Sequence, residues 1–352
     1  MRFLAEAQLD LGHDVMAIAD ESIREAISKV PVKHIPYTPC SLFNIRSVFL
    51  ELSPDIVHVS APLIPMDALF SGIVHIAHKV PVVISPHGVL NPLGVKVRFG
   101  GKPRSRLAII LKRIFILLVV QPLLRSARLI HAEAQYEAKI LRKMGAKRVI
   151  AVPMGINEEW VREPRISMSD CRTFTYLGRL DIYHKCLDLI LQSAEFLMTQ
   201  GYKFKIRLVG SDVSGSMSWL IEYVSVKRLT KYVSIEPPTW GIRKEELFEY
   251  TDFFWGVFRY AGMARACGEA CGRGIPLIVS REGNWGDWVA HSNIGIVTQL
   301  TVDDISAALI KAIQLAPQDY EAMSVRAFKY AKSNTWSAVA EQFIASYESA
   351  ML

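Results

Sequence analysis

The chain has 352 residues, of which 51% are apolar and 21% are charged, and its formal net charge is +7. This composition excludes a disordered chain, and the length suits two domains of about 150–200 residues each. The basic excess favours anionic partners. However, the basic residues form no single long run, and no zinc-finger, RNP or helix-turn-helix pattern accompanies them, so we expect no nucleic acid partner.

Five cysteines without regular spacing exclude a disulfide framework and indicate a reducing compartment. Cys267 and Cys271 are four residues apart, but no second pair or nearby histidine completes a metal site, so we expect neither a metal nor a cofactor. The N-terminal residues carry acids where a signal peptide has its apolar core. The most apolar run, 114–124, is shorter than the about 20 residues that span a bilayer. We therefore expect a cytoplasmic protein, soluble or peripheral at the inner face of the membrane.

In the first half of the chain, short β-rich runs alternate with longer amphipathic stretches, which is typical of a parallel α/β sheet. A helix is predicted over 2–11 and ends at Gly12. The later elements predicted here are strands at 15–19, 56–59, 82–85, 129–132 and 149–152 and helices at 65–78 and 134–144. A Rossmann-type domain normally opens with a strand and a glycine-rich turn, and both are missing before the first helix.

The second half repeats the alternation after a segment rich in Pro, Ser and charge at 158–170, which we interpret as a linker. The predicted elements are strands at 173–177, 205–209, 232–235, 253–257 and 277–280 and helices at 186–200, 244–250 and 264–272. The expected fold class is α/β, with two Rossmann-like doubly wound domains facing across a cleft and the first strand of the N-terminal domain missing. Ligands of such sheets bind at the carboxyl ends of the strands, so the loops that follow the strands are the places to look for chemistry.

The first candidate site is the segment 84–90, which reads Ile-Ser-Pro-His-Gly-Val-Leu. Pro86 ends the strand and Gly88 frees the backbone, so His87 projects at the carboxyl end of the strand. An imidazole there can donate a hydrogen bond to a sugar hydroxyl or to a developing oxyanion. The alternative is a loop histidine bonded to nearby backbone.

The second candidate site lies in 176–189, where a strand ends at Gly178 and a helix begins close to Lys185. Arg179 and Lys185 would both lie beside the positive end of that helix. Forked donors from arginine, a point charge from lysine and free backbone N–H groups together suit a diphosphate. Two solvated surface cations are the alternative.

Two further segments carry weaker signals. Gly210 follows a strand in 207–213 and could form a wall for a nucleoside. In 259–276, Gly262 precedes a helix whose first N–H groups can meet an anion or sugar hydroxyls. Glu269 on that helix can accept hydrogen bonds from both hydroxyls of a ribose, and an ordinary exposed helix glutamate is the alternative.

Taken together and in order, these segments resemble glycosyltransferase family 4, the retaining enzymes of GT-B fold. The matching motifs are Asp-Ile-Val-His at 55–58, Ser-Pro-His-Gly at 85–88, Gly-Arg-Leu at 178–180 with Lys185, and Glu-Ala…Gly-Ile-Pro at 269–276. Residues 321–336 are similar to the family's C-terminal helices, the last of which crosses back to the N-terminal domain. Each motif alone is modest, but the ordered set is specific.

The resemblance implies a division of the chain into an acceptor-side domain at 1–165, a nucleotide-sugar-binding domain at 166–335 and a returning helix at 336–352. It implies that Arg179 and Lys185 hold the donor diphosphate, Glu269 the ribose and His87 the donor sugar. The other expected donor-binding residues are Gly178, Gly210, Gly262, Met263 and Ala264. It also implies a retaining, metal-independent transfer from a nucleotide sugar to a saccharide or lipid-linked acceptor, in the synthesis of cell-surface polysaccharide or glycolipid.

The sequence departs from the family at Ala261, where the family has a second glutamate eight residues before Glu269. That carboxylate contacts the donor sugar in the family, so its absence should weaken sugar positioning more than nucleotide binding. Two alternatives to the transferase remain open. One is a catalytically weakened or silent nucleotide-sugar-binding relative, and the other is a sugar-nucleotide 2-epimerase, which shares the fold but needs further charged groups around the sugar.

The segment 98–128 is both apolar and basic. Such a segment can lie on an anionic membrane surface, and it can equally form a buried helix pair with a basic rim. Members of the family that act on lipid-linked precursors use this region at the membrane, so an anionic membrane surface is a candidate partner.

Overall fold

The computed structural model describes residues 2–19, 29–34, 50–60, 80–97, 101–164, 168–212, 215–260 and 262–351. They form two compact units. The first unit holds 1–91, 105–155 and 334–352, and the second holds 92–104 and 156–333. Compared with the division predicted from the sequence, segments 92–104 and 156–165 are therefore grouped with the second unit.

Helices and strands follow one another along the described residues. Up to residue 151 they are α1 (Arg2–Asp10), β1 (Ala17–Ala19), β2 (Val32–His34), β3 (Val57–Ser60), β4 (Val82–Ser85), α2 (Pro92–Lys96), α3 (Arg106–Ser126), β5 (Leu129–Ala132), α4 (Gln135–Lys143) and β6 (Val149–Ala151). After it they are β7 (Arg172–Leu177), α5 (Leu187–Thr199), β8 (Phe204–Val209), α6 (Ser216–Val226), β9 (Val233–Glu236), α7 (Ile242–Glu249), β10 (Phe253–Gly256), α8 (Arg265–Gly272), β11 (Leu277–Ser280), α9 (Asn284–Ser292), β12 (Gly295–Thr298), α10 (Val302–Ile313), α11 (Pro317–Ser333) and α12 (Trp336–Met351).

The first unit is built on a parallel sheet in the order β3-β4-β5-β6, and β1 and β2 form a separate parallel pair. Successive strand residues point to opposite faces. Val82 and Ile84 therefore enter a core with α3 and α4, whereas Val83 enters a core with α1 and α12 that includes Leu4 and Phe343. Coverage on both faces explains why β4 and β5 are apolar runs rather than alternating ones.

The second unit has one six-stranded parallel sheet in the order β12-β11-β10-β7-β8-β9. This is the doubly wound order, in which the strand sequence reverses between β7 and β10. All residues of β10 and β11 are buried, as is most of β7. Ligands of such sheets bind beyond the carboxyl ends of the strands at the reversal, which here means the loops after β7 and β10.

The predicted fold class is confirmed in its parallel α/β sheets and two domains. Three predicted strands, at 82–85, 129–132 and 277–280, match residue for residue, whereas the helix predicted at 65–78 lies outside the described residues. Strands β2 and β12 were not predicted. Strand β12 was missed because it opens with Gly295, which is there for packing: a Cβ at this position would lie 2.1 Å from the carbonyl oxygen of Leu277.

Helix α3 corrects one expectation. The apolar run at 114–124 is too short by itself to span a bilayer. However, the helix continues without a break from Arg106 through a π-helical turn at Ile116–Val120 to Ser126. At 21 residues, α3 is long and apolar enough to cross a membrane by length and composition. Only 17% of its apolar window is buried inside the protein.

Candidate functional site

In the second unit, the ends of β7 and β8 meet backbone to backbone. A Cβ on Gly210 would lie 1.6 Å from the carbonyl oxygen of Gly178, so no side chain fits at 210. Close to this contact, the hydroxyl of Tyr176 donates to the carbonyl of Arg179 at 2.5 Å. The glycine pair therefore lets the chain leave β7 tightly, which brings Arg179 to the edge of the sheet.

The loop between β7 and α5 is held by a buried aspartate–histidine pair. The Asp181 carboxylate accepts hydrogen bonds from the backbone N–H of His184 at 3.0 Å and from its Nδ1 at 2.7 Å. The other ring nitrogen of His184 contacts the hydroxyl of Tyr260, in the loop after β10. The two loops at the reversal of the strand order are thus joined through one imidazole.

Arg259 joins the same two loops a second time. Its guanidinium donates to both oxygens of Asp188 at 2.9 and 2.6 Å and to the carbonyl of Tyr183 at 2.6 Å. It also lies over the Tyr183 ring, 4.4 Å from the ring centre. A forked ion pair of this kind fixes geometry as well as charge, so the loop from Gly178 to α5 is rigidly placed.

Lys185 lies inside this arrangement as a partly buried cation. Its Nζ is 4.0 Å from the centre of the Phe258 ring, and its carbonyl accepts from the indole of Trp255 at 3.5 Å. Within the described part of the chain, no carboxylate forms an ion pair with Nζ. Burial lowers the pKa of Lys185, and the positive charge of Arg179 lowers it further, whereas Cys267 and the Asp181 carboxylate partly raise it. A bound anion would relieve both penalties.

Glu269 lies in the second turn of α8 and pairs with Lys244, whose Nζ is 2.7 Å from Oε2. Lys244 also lies over the indole of Trp160, 4.3 Å from its centre. On the same helix, the buried Cys267 thiol interacts electrostatically with both Lys185 and Glu269. The cation and the carboxylate are thus both within electrostatic range of one buried thiol.

The backbone before α8 reaches the N-terminal end of that helix. No side chain caps this end of the helix, at Ala264. The Ala264 carbonyl accepts from the indole of Trp285 at 3.2 Å, and Met263 is buried beside it. These contacts fix the approach of Gly262, Met263 and Ala264 to the helix. The neighbouring Ala261 lies outside the described residues.

In the first unit, His87 follows β4 and bonds to a carboxylate rather than to backbone. Its Nδ1 is 2.8 Å from Oε1 of Glu133. The backbone N–H of Gly88 donates to Oε1 of Glu137 at 2.6 Å. Nδ1 of His87 therefore bonds to a carboxylate and not to nearby backbone, which was the alternative considered for this loop histidine.

Several solved structures have the same fold as this chain. HepE from Anabaena, solved in complex with UDP, is 14% identical and aligns over 99% of this chain and 96% of its own with a TM-score of 0.77. Sucrose-phosphate synthase from Thermosynechococcus elongatus is 16% identical, with coverage of 98% and 91% and a TM-score of 0.74. A glycosyltransferase from Rickettsia africae is 11% identical, with coverage of 99% and 93% and a TM-score of 0.74. At these identities the structures establish the fold.

The sequence comparison covers the first part of the chain. Residues 1–160 match the model of Glycosyltransferase Family 4. The family resemblance inferred from the ordered motifs is thereby confirmed over the matched residues, and the chain as a whole has the fold of GT-B glycosyltransferases. No sequence among curated proteins matches this chain.

Three of the predicted site residues, Arg179, Lys185 and Glu269, belong to the second unit, and His87 lies in the first. Sequence reasoning gave no role to Arg259 or to Lys244. Arg259 opens the 259–276 segment, and its charge opposite Asp188 in the first turn of α5 was a usable signal. No signal in the sequence pointed to Lys244, because only the fold brings α7 beside α8.

One open depression lies elsewhere in the second unit. It has a volume of about 590 Å³ and is lined by residues at the amino ends of β7, β8 and β9, among them Thr173, Lys205 and Val233. Catalytic loops of a doubly wound sheet lie at the opposite ends of the strands. We therefore assign no part of the sugar chemistry to it.

Proposed function

We propose that this protein is a retaining glycosyltransferase that moves a sugar from a nucleotide-diphosphate sugar to a saccharide or lipid-linked acceptor, without a metal, in the synthesis of cell-surface polysaccharide or glycolipid. The observation that carries the proposal is Lys185: a partly buried cation with no carboxylate partner in the described chain, beside Arg179, at the carboxyl end of β7. A buried charge without a counter-charge is costly. A diphosphate supplies that counter-charge.

In this mechanism Arg179 and Lys185 stabilise the charge that develops on the leaving diphosphate, which is the role that a metal ion fills elsewhere. The bond from the anomeric carbon to the diphosphate oxygen breaks while the bond to the acceptor oxygen forms on the same face. The acceptor hydroxyl gives its proton to the departing diphosphate. The product keeps the anomeric configuration of the donor, and His87 binds a hydroxyl of the transferred sugar.

Glu269 is proposed to bind the ribose. Its Oε2 already pairs with Lys244, which fixes the orientation of the carboxylate, while the remaining lone pairs accept from the 2′ and 3′ hydroxyls. The HepE structures were solved with UDP, with UDP and glucose, and with UDP-glucose. We therefore take uridine diphosphate and its sugars as the first donors to test, with guanosine and adenosine analogues beside them.

We expect Glu269→Gln to weaken UDP binding by about tenfold, because a hydrogen bond to a charged group contributes about 1.5–3 kcal/mol. Titration calorimetry with UDP and 2′-deoxy-UDP tests the assignment, since the preference for UDP should shrink in the variant. Glu245→Gln is the matched control, because Glu245 pairs with Arg162 on the surface. Equal preference for UDP in wild type and Glu269→Gln would contradict a ribose role.

The proposed activity is tested by titrating the protein with UDP-, GDP- and ADP-sugars and then following the fate of each donor that binds. Release of free nucleotide with a sugar or glycoside of unchanged anomeric configuration supports the retaining transferase. Binding without turnover would favour a silent nucleotide-sugar-binding protein, and isomerisation of the bound sugar would favour the epimerase. No binding of any nucleotide sugar would overturn the proposal.

Helix α3 is proposed to hold the protein on an anionic membrane surface. Its exposed apolar residues follow a helical spacing and form one face: Leu107, Ile110, Leu111, Ile114, Leu117 and Leu118. The segment 101–128 around this face carries seven basic residues and no acidic one. At its C-terminal end Val120, Leu123 and Leu124 are buried in the core of the first unit. Such a helix suits the lipid interface, because it is anchored in the protein at one end and carries a solvent-exposed apolar face with basic flanks. It suits a bilayer crossing less well, because Lys112 and Arg113 lie near its middle.

We expect Ile110→Glu to weaken binding to phosphatidylcholine–phosphatidylglycerol vesicles by about tenfold or more, because a fully buried isoleucine contributes about 1.5–3 kcal/mol. The control is Ile221→Glu in the second unit, since the two isoleucines are 52% and 54% exposed. Vesicle co-sedimentation at two salt concentrations measures both effects. Equal binding of the two variants, or binding that needs no anionic lipid, would contradict the proposed surface.

A further inference from the structure

The loop that carries His87 is held in an unusual backbone conformation. His87 and Gly88 both have positive φ angles, 52° and 75°. For a residue with a side chain, this left-handed region costs about 1–2 kcal/mol. Such a conformation persists only where the surroundings impose it, and it is common at functional sites.

Glu137 imposes it. This side chain is buried in the first turn of α4 and accepts two backbone hydrogen bonds, from Gly88 at 2.6 Å and from Glu133 at 2.9 Å. One carboxylate thus ties the loop after β4 to the loop after β5. Burial raises the pKa of Glu137, as does the neighbouring charge of Glu133.

Glu133 acts on the imidazole itself. It is buried directly after β5, and its Oε1 lies 2.8 Å from Nδ1 of His87, whereas the His87 side chain is 29% exposed. An ionised carboxylate only accepts, so Nδ1 carries the proton. In the neutral imidazole, Nε2 is then an acceptor, and it becomes a donor only when the ring is protonated. The sequence alone suggested a donor, and the contact to Glu133 decides which nitrogen is presented.

We propose that Glu133 is a positioning residue for His87, which fixes the Nδ1–H tautomer and the ring orientation so that Nε2 is presented to a hydroxyl of the donor sugar. The inference rests on the proposed function only in naming the sugar as the partner of Nε2. The tautomer and the orientation follow from the contacts within the first unit. The groups that face the ring are Glu133, Glu137 and, with ring centres 6.3 Å apart, His131.

The first test needs no substrate. In wild-type protein, nitrogen NMR of the His87 ring should show the proton on Nδ1. In Glu133→Ala the ring should move toward the Nε2–H tautomer, and in Glu133→Gln, whose side-chain oxygen still accepts, it should stay on Nδ1. The matched control is Glu341→Ala, an exposed glutamate of α12 in the same unit. An unchanged tautomer in Glu133→Ala would overturn the inference whether or not the protein transfers sugar.

The second test is a double-mutant cycle on donor turnover. We expect His87→Ala to lower kcat by about 100-fold and Glu133→Ala by about tenfold, with the affinity for UDP unchanged in both. Because Glu133 acts through His87, the double variant should be no slower than His87→Ala, and Glu133→Gln should recover most of the loss. If the wild type transfers sugar and the loss of kcat in the double variant equals the product of the two single losses, the positioning role is refuted. The proposed transferase activity would be unaffected by that result.

Discussion

Lys185→Met should lower donor turnover by about 10²–10³-fold, the loss expected when one preorganised stabiliser of a developing anion is removed. The methionine keeps an apolar side chain beside Phe258 and leaves the backbone bond to Trp255 in place, so the change removes charge and little packing. Nucleotide release from a bound donor measures the effect. Lys227→Met is the matched control, because Lys227 pairs with Glu195 on the surface of the same unit.

The same variant should also change stability, and in the opposite direction to its effect on turnover. Lys185 has no carboxylate partner in the described chain, and burial lowers its pKa, so its charge destabilises the ligand-free protein. We therefore expect Lys185→Met to be at least as stable as the wild type without nucleotide, and to gain less stability than the wild type when UDP is added. A variant that is both less active and less stable would point to a structural lysine and contradict the phosphate assignment.

The sequence was informative where local chemistry decides the structure. Gly178 and Gly210, marked as strand ends, meet backbone to backbone, and the apolar runs of β4, β5 and β11 are strands because helices cover both faces of their sheets. Lys185 was found because strand ends in a doubly wound sheet collect ligands at one edge.

What the sequence could not give are the contacts between residues that are distant along the chain. The Glu269–Lys244 pair and the clamp of Arg259 on Asp188 need the packed sheet before they exist. The role of Glu133 was equally hidden, because nothing local to 133 indicates an imidazole at 87. The exposure of α3 was left open for another reason: apolar composition alone does not distinguish a buried helix from one whose apolar face is exposed to solvent.

A further long-range contact is a chain of hydrogen bonds between the sheet of the first unit and α12. His131 lies 2.7 Å from the carbonyl of Val152 and 2.8 Å from the hydroxyl of Ser85. The same hydroxyl lies 2.6 Å from His58, whose other nitrogen is 2.5 Å from the hydroxyl of Tyr347 on α12. A carbonyl only accepts, so Nε2 of His131 donates to Val152. When both imidazoles are neutral, which burial favours, Ser85 donates to His131, His58 donates to Ser85 and Tyr347 donates to His58, and every group gives one proton.

The first unit should therefore lose stability on acidification. Burial lowers the pKa of both histidines, that of His131 from 6.5 to about 4. Between these values the unfolded chain binds a proton that the folded chain does not, so the free energy of unfolding falls as the pH falls. The loss from His131 is about 3 kcal/mol between about pH 6.5 and pH 4, and His58 adds to it in the same direction. The raised pKa of Glu137 acts in the opposite sense at the acidic end of this range, so the test is a comparison of variants.

Hydrogen exchange of the β4 and β5 amides, followed from pH 7.5 to pH 4.5, measures the opening free energy of this unit without assuming that the whole chain unfolds in one step. We expect His131→Gln to be less stable than the wild type at pH 7.5, because glutamine cannot make both bonds, and to lose less stability on acidification. His13→Gln, an exposed histidine of the same unit, should follow the wild-type curve. Parallel pH dependences for wild type and His131→Gln would mean that His131 is not held neutral in the folded protein, and the direction of the hydrogen-bond chain from Val152 to Tyr347 would then be wrong.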